Sequence, residues 1–255
     1  MPMDIAFIGR ASCYSPQSVE KDYAILSEVR KRLQATCRCL DIVQEDASTE
    51  FPLADGYVVM GRNEHTLQWL ATREKMGIPV VNSTASIRLC NHRSKLTRQL
   101  AAAGVAVPPP TGCDGYWVKR GKGCRMTDED VQYAATPDDA LRLKQAMLRR
   151  GIQEVEVRAH VVGWWVKFYG VHDTGFFRCY RMNDGEAQPV ELPSVQLMAE
   201  RAAKVAELAV YGGDAIIKAD GQPVLVDLND WPSFSPCREE AAVAIAQRVV
   251  QRINS

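Results

Sequence analysis

The chain has 255 residues, of which 31 are basic and 31 acidic, so its formal net charge at pH 7 is zero. This balance excludes a protein-wide field that would attract nucleic acid or an anionic membrane, and we expect neither as a partner. No basic segment followed by a short apolar run opens the sequence, and no stretch of about 18 apolar residues occurs. We therefore expect a cytoplasmic protein.

Eight cysteines are scattered along the chain, mostly singly. In a cytoplasmic protein such cysteines are expected to be reduced thiols rather than a disulfide framework. Cys37 and Cys39 form a Cys-x-Cys pair, but no second pair lies nearby, so we predict no zinc site there.

The first third of the chain alternates between short apolar runs and amphipathic segments. The spacing predicts strands over 4–9, 39–43, 57–60 and 78–81, and helices over 19–33 and 64–76. This rhythm is typical of a small open α/β sheet.

Two short helices follow Asn82, the second carrying Lys95 and ending at Gly104, and three consecutive prolines then suggest a linker. Beyond it, the pattern predicts strands over 116–119, 154–162, 164–171 and 176–182, a helix after Thr136, a long helix ended by Gly212 and Gly213, and a last helix over 238–253. We predict an α/β chain with α+β lobes, divided into residues 1–84, 85–165 and 166–255.

The stretch VDLNDWPSF places Asp227 and Asn229 two residues apart on one strand, so their side chains point to the same face. Alone, the pair could cap the turn that follows. However, a hairpin about Asp220 and Gly221 would bring Asp214 back beside them. Two carboxylates and one amide oxygen form an oxygen-only site that suits Mg²⁺ completed by phosphate oxygens.

The segment GGDAIIKADGQPVLVDLNDWP resembles the metal-binding end of the ATP-grasp superfamily, and IPVVNSTASIRLCNHRSKLTRQLAAAGVAVPPP resembles the segment that leads into its ATP-binding lobe. The resemblance implies an ATP-grasp fold, in which a small N-terminal lobe precedes two lobes that sandwich ATP. It also implies ATP and one or two Mg²⁺ ions as cofactors, with Mn²⁺ able to substitute. Asp214, Asp227 and Asn229 would be the metal ligands.

The resemblance further implies that Lys95 and Lys119 reach the phosphates of ATP. Each lysine has a plainer interpretation, Lys95 as a solvated helix residue and Lys119 as an edge residue of an aromatic strand. Arg178 is expected to steady the acceptor carboxylate or its acyl phosphate, so the implied catalytic residues are Arg178 and Lys119. Lys167 could face either ATP and substrate or water.

Two registers are open for the hinge that holds adenine. In the first register, Gln153 and Glu154 match the Gln-Glu pair that the family usually has at this hinge. In the second register, the turn at Gly163 follows the hinge, and Arg158, Ala159 and His160 would lie at the adenine. In the second register, Trp164 occupies the position at which the resemblance implies an acidic residue that binds the ribose hydroxyls.

The resemblance implies a ligase that joins a carboxylate to an amine or thiol through an acyl phosphate, releasing ADP and phosphate. The expected acceptor is a small molecule or peptide, and a homodimer is left open. One alternative is an ATP-grasp small-molecule kinase, similar to inositol phosphate kinases in the run from Trp231 to Phe234. A second alternative is an ATP-binding module without catalysis. No nucleophile and base pair can be picked out, which favours catalysis by positioning and charge neutralisation.

Overall fold

The structure is a computed structural model that describes residues 3–14, 18–46, 48–123 and 127–254. Its strands form three sheets, one parallel and two antiparallel. No helix in these ranges is both long and apolar enough to cross a bilayer. The seven cysteines in these ranges are free thiols, and Cys124 lies outside the described residues.

The N-terminal lobe is a parallel sheet flanked by helices. Its strand order is β2-β1-β3-β4, and its apolar residues pack beneath α1 and α2. The elements are β1 (Asp4–Gly9), α1 (Val19–Leu33), β2 (Arg38–Gln44), β3 (Gly56–Val59), α2 (Glu64–Lys75) and β4 (Val80–Val81). The predicted small open α/β sheet is thus present, with each predicted element in place.

A three-stranded antiparallel sheet in the order β6-β5-β7 forms the central lobe. Its elements are β5 (Tyr116–Arg120), β6 (Val131–Ala134), α5 (Pro137–Arg149) and β7 (Val155–Ala159). The Thr136 side chain accepts a hydrogen bond from the Asp139 N–H and so begins α5. Strand β6 is absent from the sequence-based prediction.

The C-terminal lobe contains a five-stranded antiparallel sheet in the order β10-β9-β8-β11-β12. Its elements are β8 (Trp164–Val171), β9 (Phe176–Asn183), β10 (Glu186–Pro189), α6 (Pro193–Val205), β11 (Val210–Ile217), β12 (Pro223–Asn229) and α7 (Arg238–Ile253). Helices α3 (Thr84–Cys90) and α4 (Arg93–Ala102) precede the central lobe. Leu96 and Leu100 of α4, which belong to the predicted central segment 85–165, pack in the core of the C-terminal lobe with Phe168. The limits of the lobes stay a prediction.

The Gly212 and Gly213 pair does not end a helix, as the sequence suggests, but lies inside β11. Helix α6 already ends at Val205. A Cβ atom on Gly212 would lie 2.7 Å from the Pro232 ring and 2.8 Å from the Phe168 carbonyl oxygen. Glycine is required here because neighbouring groups approach the strand closely, not because the chain turns.

The N-terminal and C-terminal lobes are joined by buried polar contacts. Asn82 donates from Nδ2 to the Val210 carbonyl at 2.7 Å, and its Oδ1 accepts from the N–H groups of Ala209 and Val210 at 2.8 Å each. Asn82 also donates to the Asp230 carbonyl. These contacts join the residue after β4 to the start of β11 and to the residue after β12.

Candidate functional site

The hairpin of β11 and β12 brings the three predicted metal residues together. Asp214 pairs directly with Asp227, and Asn229 lies opposite Gly212. The register shifts beside Asp214, because Ala215 pairs with Leu225 and leaves Val226 as an extra residue. Asp214, Asp227 and Asn229 all line a cavity of about 310 Å³ between the N-terminal and C-terminal lobes.

Two cations lie against the two carboxylates. Lys167 Nζ is 3.1 Å from Asp214 Oδ1, and Trp165 Nε1 donates to the same oxygen at 2.7 Å. Arg93 Nε lies 3.9 Å from Asp227 Oδ1. Burial raises the pKa of Asp214, and the like charge of Asp227 adds to this effect while Lys167 opposes it. The site thus concentrates both signs of charge in a small desolvated space.

The donor set suits a hard divalent cation. Within the described residues no group of three or more His, Cys, Asp and Glu side chains could hold a metal. The hairpin instead offers two carboxylates and one amide. A set with so few protein oxygens fits Mg²⁺, which keeps its remaining positions for water and phosphate oxygens.

A second cavity of about 780 Å³ lies between the central sheet and the C-terminal sheet, with α4 on one side. Its lining is apolar near Leu96, Leu100 and Leu225 and charged toward the hairpin. The residues that line both this cavity and the 310 Å³ cavity are Arg93, Asp214, Asp227 and Leu228. Asp214 and Asp227 therefore lie at the junction of the two cavities, and Asn229 lies on the side of the 310 Å³ cavity.

Lys119 lines the 780 Å³ cavity. Burial lowers the pKa of its ammonium group, Asp227 raises it and Arg93 lowers it. Its neighbour on β7 is Glu156, which also lines the cavity. Lys119 thus places a desolvated positive charge near the candidate metal residues.

Of the two hinge registers, the one with Arg158, Ala159 and His160 lines the 780 Å³ cavity. The Ala159 N–H donates to the Pro109 carbonyl and the His160 N–H to the Gly115 carbonyl, each at 2.8 Å. His160 Nδ1 accepts from Trp117 Nε1 at 3.0 Å. A ligand at this hinge would therefore meet carbonyls and side chains rather than these two N–H groups.

Glu154, from the other register, does not line the 780 Å³ cavity, and its Oε1 lies 3.2 Å from His92 Nε2. An acidic residue that sequence reasoning missed, Glu156, does line the cavity, where it lies 2.5 Å from Arg158. Trp164 packs at the edge of the C-terminal core, and the Arg181 guanidinium lies 4.9 Å from the centre of its ring.

The structure does not bring Lys95 or Arg178 to the two cavities. Lys95 is exposed and lines a different cavity beyond α4. Arg178 is exposed on β9, where it pairs with Glu240 of α7 and lies over the Phe176 ring.

Arg93 is the cation of α4 that lines both cavities, and sequence reasoning missed it. The helical periodicity of the sequence could have indicated that Arg93 lies on the inward face of α4. Arg93 lies three residues before Leu96 and seven before Leu100, both of which are buried, whereas Lys95 lies on a neighbouring face.

Two further arginines, which the sequence did not single out, reach the 310 Å³ cavity from the N-terminal lobe. Arg10 lies 3.3 Å from Asp22 and donates to the Trp231 carbonyl at 2.8 Å. Arg62 forms an ion pair with the buried Asp230. Burial lowers the pKa of Arg10 to about 10, and the charge of Arg62 adds to this effect.

Comparisons with known proteins rest on structure. No family model matches the chain, and no curated protein matches its sequence. The D-alanine–D-alanine ligase of Bacillus anthracis in complex with ATP superposes with a TM-score of 0.73 at 14% identity, covering 99% of this chain and 97% of that chain. The D-cycloserine synthetase DcsG gives 0.70 at 17% identity, covering 98% and 99%.

A RimK domain ATP-grasp protein from Sphaerobacter thermophilus gives a TM-score of 0.69 at 18% identity, covering 97% of this chain and 99% of that chain. At such low identities the likeness concerns the fold, and it extends over nearly the whole length of each chain.

Proposed function

Because this chain has the ATP-grasp fold, we propose that it is an ATP- and Mg²⁺-dependent ligase that joins a carboxylate to an amine or thiol. The observation that carries the proposal is the junction of the two cavities. Arg93, Asp214 and Asp227 line both the 780 Å³ cavity and the 310 Å³ cavity. A nucleotide in the larger cavity would present its terminal phosphate to an acceptor in the smaller one.

The cationic side chains of the site suit a triphosphate. Lys119 and Arg93 line the 780 Å³ cavity beside the hairpin, and the charge of a bound anion would favour the ionised form of Lys119. Mg²⁺ bound by Asp214, Asp227 and Asn229 would supply further positive charge to the phosphate oxygens. The aliphatic and hinge residues at the other end would hold the base.

In the proposed reaction, an oxygen of the acceptor carboxylate bonds to the γ-phosphorus as the bond to ADP breaks. The amine or thiol then attacks the acyl carbon, loses its proton and displaces phosphate. Lys167 and Arg62, which line the acceptor side, are the cations that would hold the carboxylate. They take the role that the sequence suggested for Arg178. Since catalysis here is charge neutralisation and positioning, no nucleophilic side chain is required.

The mixed charge of the 310 Å³ cavity favours the ligase over a kinase for polyphosphorylated alcohols. Arg10, Arg62, Arg93 and Lys167 are balanced there by Asp22, Asp214 and Asp227. A polyphosphate would require a strong excess of positive charge. Ser233, which lines the cavity in the turn that resembles kinases, keeps phosphorylation of a less anionic alcohol as the second candidate.

The test is ATP turnover with Mg²⁺ and pools of carboxylic acids, with and without amines. The ligase predicts ADP and free phosphate in equal amounts, dependent on both an acid and an amine. ADP without free phosphate in a polyol pool would instead identify a kinase. Nucleotide binding without turnover in any pool would favour the non-catalytic module and contradict the ligase.

A further inference from the structure

A third cavity, here called the basic groove, adjoins the 310 Å³ cavity and has a volume of about 1080 Å³. It lies between α2, α3, α4 and the segment after α6. Tyr14, Arg62, Asn91 and Gly123 line both this groove and the 310 Å³ cavity. The two spaces therefore adjoin at these residues, and the Gly123 N–H donates to the Asn91 carbonyl at 2.8 Å at this boundary.

Two lysines of the basic groove have no ion-pair partner among the residues that the structure describes. Lys95 and Lys122 are exposed, and neither side chain forms an ion pair with any residue that the structure describes. The two arginines of the groove are paired, since Arg88 lies 2.8 Å from Glu64 and Arg62 forms an ion pair with Asp230. The lining has two carboxylates, and because Glu64 pairs with Arg88, Glu207 is the one that remains to face the two lysines. Lys95 and Lys122 thus carry positive charge that forms no ion pair within the described part of the chain.

Unpaired polar atoms concentrate where the groove meets the 310 Å³ cavity. Asn91 Oδ1, His92 Nδ1 and Arg62 Nε are buried and have no hydrogen-bond partner among the described residues. Buried polar atoms without partners are uncommon in folded proteins, because each costs free energy. These three atoms belong to residues that line the basic groove, and they indicate a place where a ligand or ordered water completes the hydrogen bonding.

Much of the remaining lining of the groove is apolar, with Ser86 and Gln99 as its polar members. The apolar side chains are those of Leu67, Ala85, Leu89, Ala102, Ala103, Val205 and Ala206. A molecule that lies across this surface would bury an apolar segment between the passage and the two lysines.

We propose that the basic groove holds the body of the acceptor, a carboxylic acid with a second anionic group at the far end of an apolar segment. This inference rests on the proposed function. The reacting carboxylate would lie in the 310 Å³ cavity beside Lys167, the apolar segment would pass Asn91 onto Leu67 and Leu89, and the second anion would meet Lys95 and Lys122. This second anion is a carboxylate or a phosphate.

The test is calorimetric binding of short and long α,ω-dicarboxylic acids, ω-phosphonocarboxylic acids and the matching monocarboxylic acids, in the presence of Mg²⁺ and a non-hydrolysable ATP analogue. We expect the long acids with two anionic ends to bind at least about tenfold more tightly than the monoacids, and to lose this advantage as salt rises. Comparison of dicarboxylic with phosphonocarboxylic acids identifies the second anion.

Lys95→Ala and Lys122→Ala should each weaken binding of the long diacid about three- to fivefold, and the double variant about tenfold or more. Monoacid binding and nucleotide affinity should not change. Lys95→Arg should restore the affinity, and Lys144→Ala, which removes an exposed lysine of α5, is the matched control.

Equal binding of monoacids and diacids, or unchanged diacid affinity in the double variant, would overturn the inference and leave the ligase proposal intact. Tight, lysine-dependent binding of diacids without ATP turnover in the presence of amines would support the groove and contradict the ligase.

Discussion

Asp214 on β11 and Asp227 on β12 lie directly opposite each other, and each is accompanied by a cation from a different element. Lys167 lies on the neighbouring strand β8, and Arg93 begins α4. Like charges on directly opposed residues destabilise a sheet. The two cations offset this repulsion, so the pair of carboxylates is compensated in the protein without a metal.

Arg93, rather than Lys95, is expected to support nucleotide binding. Arg93→Ala removes a cation from the 780 Å³ cavity and should weaken ATP affinity about 10- to 100-fold, as expected for hydrogen bonds to a charged group. Lys95→Ala should leave ATP affinity within about twofold of the native value. Titration with a fluorescent ATP analogue measures both effects, with Arg98→Ala on the exposed side of α4 as control. An equal loss in Lys95→Ala and Arg93→Ala would refute this assignment.

Arg178 is expected to be dispensable for turnover. It forms an exposed ion pair with Glu240 and lines neither cavity of the site. Such pairs contribute about 0–1 kcal/mol to stability. Arg178→Ala should therefore retain ATP turnover and lose at most this amount in urea unfolding. A hundredfold fall in kcat with an unchanged unfolding midpoint would show that Arg178 acts in the reaction.

Gly212→Ala should destabilise the hairpin, because the new methyl group would press on the Pro232 ring and the Phe168 carbonyl. Overpacking of this kind typically costs about 1–3 kcal/mol. Gly56→Ala in β3 is the control, since its methyl group would meet the end of the Ile5 side chain at 3.2 Å. Urea unfolding measures both variants. Equal stability of Gly212→Ala and the native protein would contradict the close approach.

Buried thiols should make the protein less stable at alkaline pH. Burial raises the pKa of Cys179 and of Cys237 from an ordinary value of 9.0 to about 11. Between these values the folded state holds protons that the unfolded state has released, so the free energy of unfolding falls as pH rises from 9 to 11.

Urea unfolding below pH 9 and near pH 11 measures this fall. Cys179→Ala should show a smaller fall than the native protein, whereas Cys113→Ala, which removes an exposed thiol, should match it. An identical fall in Cys179→Ala and the native protein would contradict the assignment.

The parts of the fold that were predicted correctly depend on local information. Helices α1 and α7 follow from apolar periodicity, and the β11–β12 hairpin follows from a turn with strands on both sides. The fold class is confirmed by the superposed structures. The placement of Asp214, Asp227 and Asn229 on one cavity follows from strand register alone, so it could be read from sequence.

Two of the missed residues, Arg10 and Arg62, depend on tertiary contacts. Arg62 and Asp230 pair across 168 positions, and Arg10 meets the Trp231 carbonyl across 221 positions. No local pattern encodes such distances. Arg178 was predicted from its position in the order of the elements along the chain. On strand β9, however, its side chain pairs with Glu240 of α7 and does not reach the cavities.

The most direct test is the binding of Mn²⁺ together with a nucleotide, followed by electron paramagnetic resonance, since Mn²⁺ can replace Mg²⁺ at oxygen sites. The native protein should bind the Mn²⁺–ADP complex, and Asp227→Asn and Asn229→Ala should each weaken binding at least about tenfold while unfolding remains within about 1 kcal/mol. Asp220→Asn, at the turn of the same hairpin, should bind as the native protein does. Native affinity in both Asp227→Asn and Asn229→Ala would contradict a metal–nucleotide site at the junction of the two cavities.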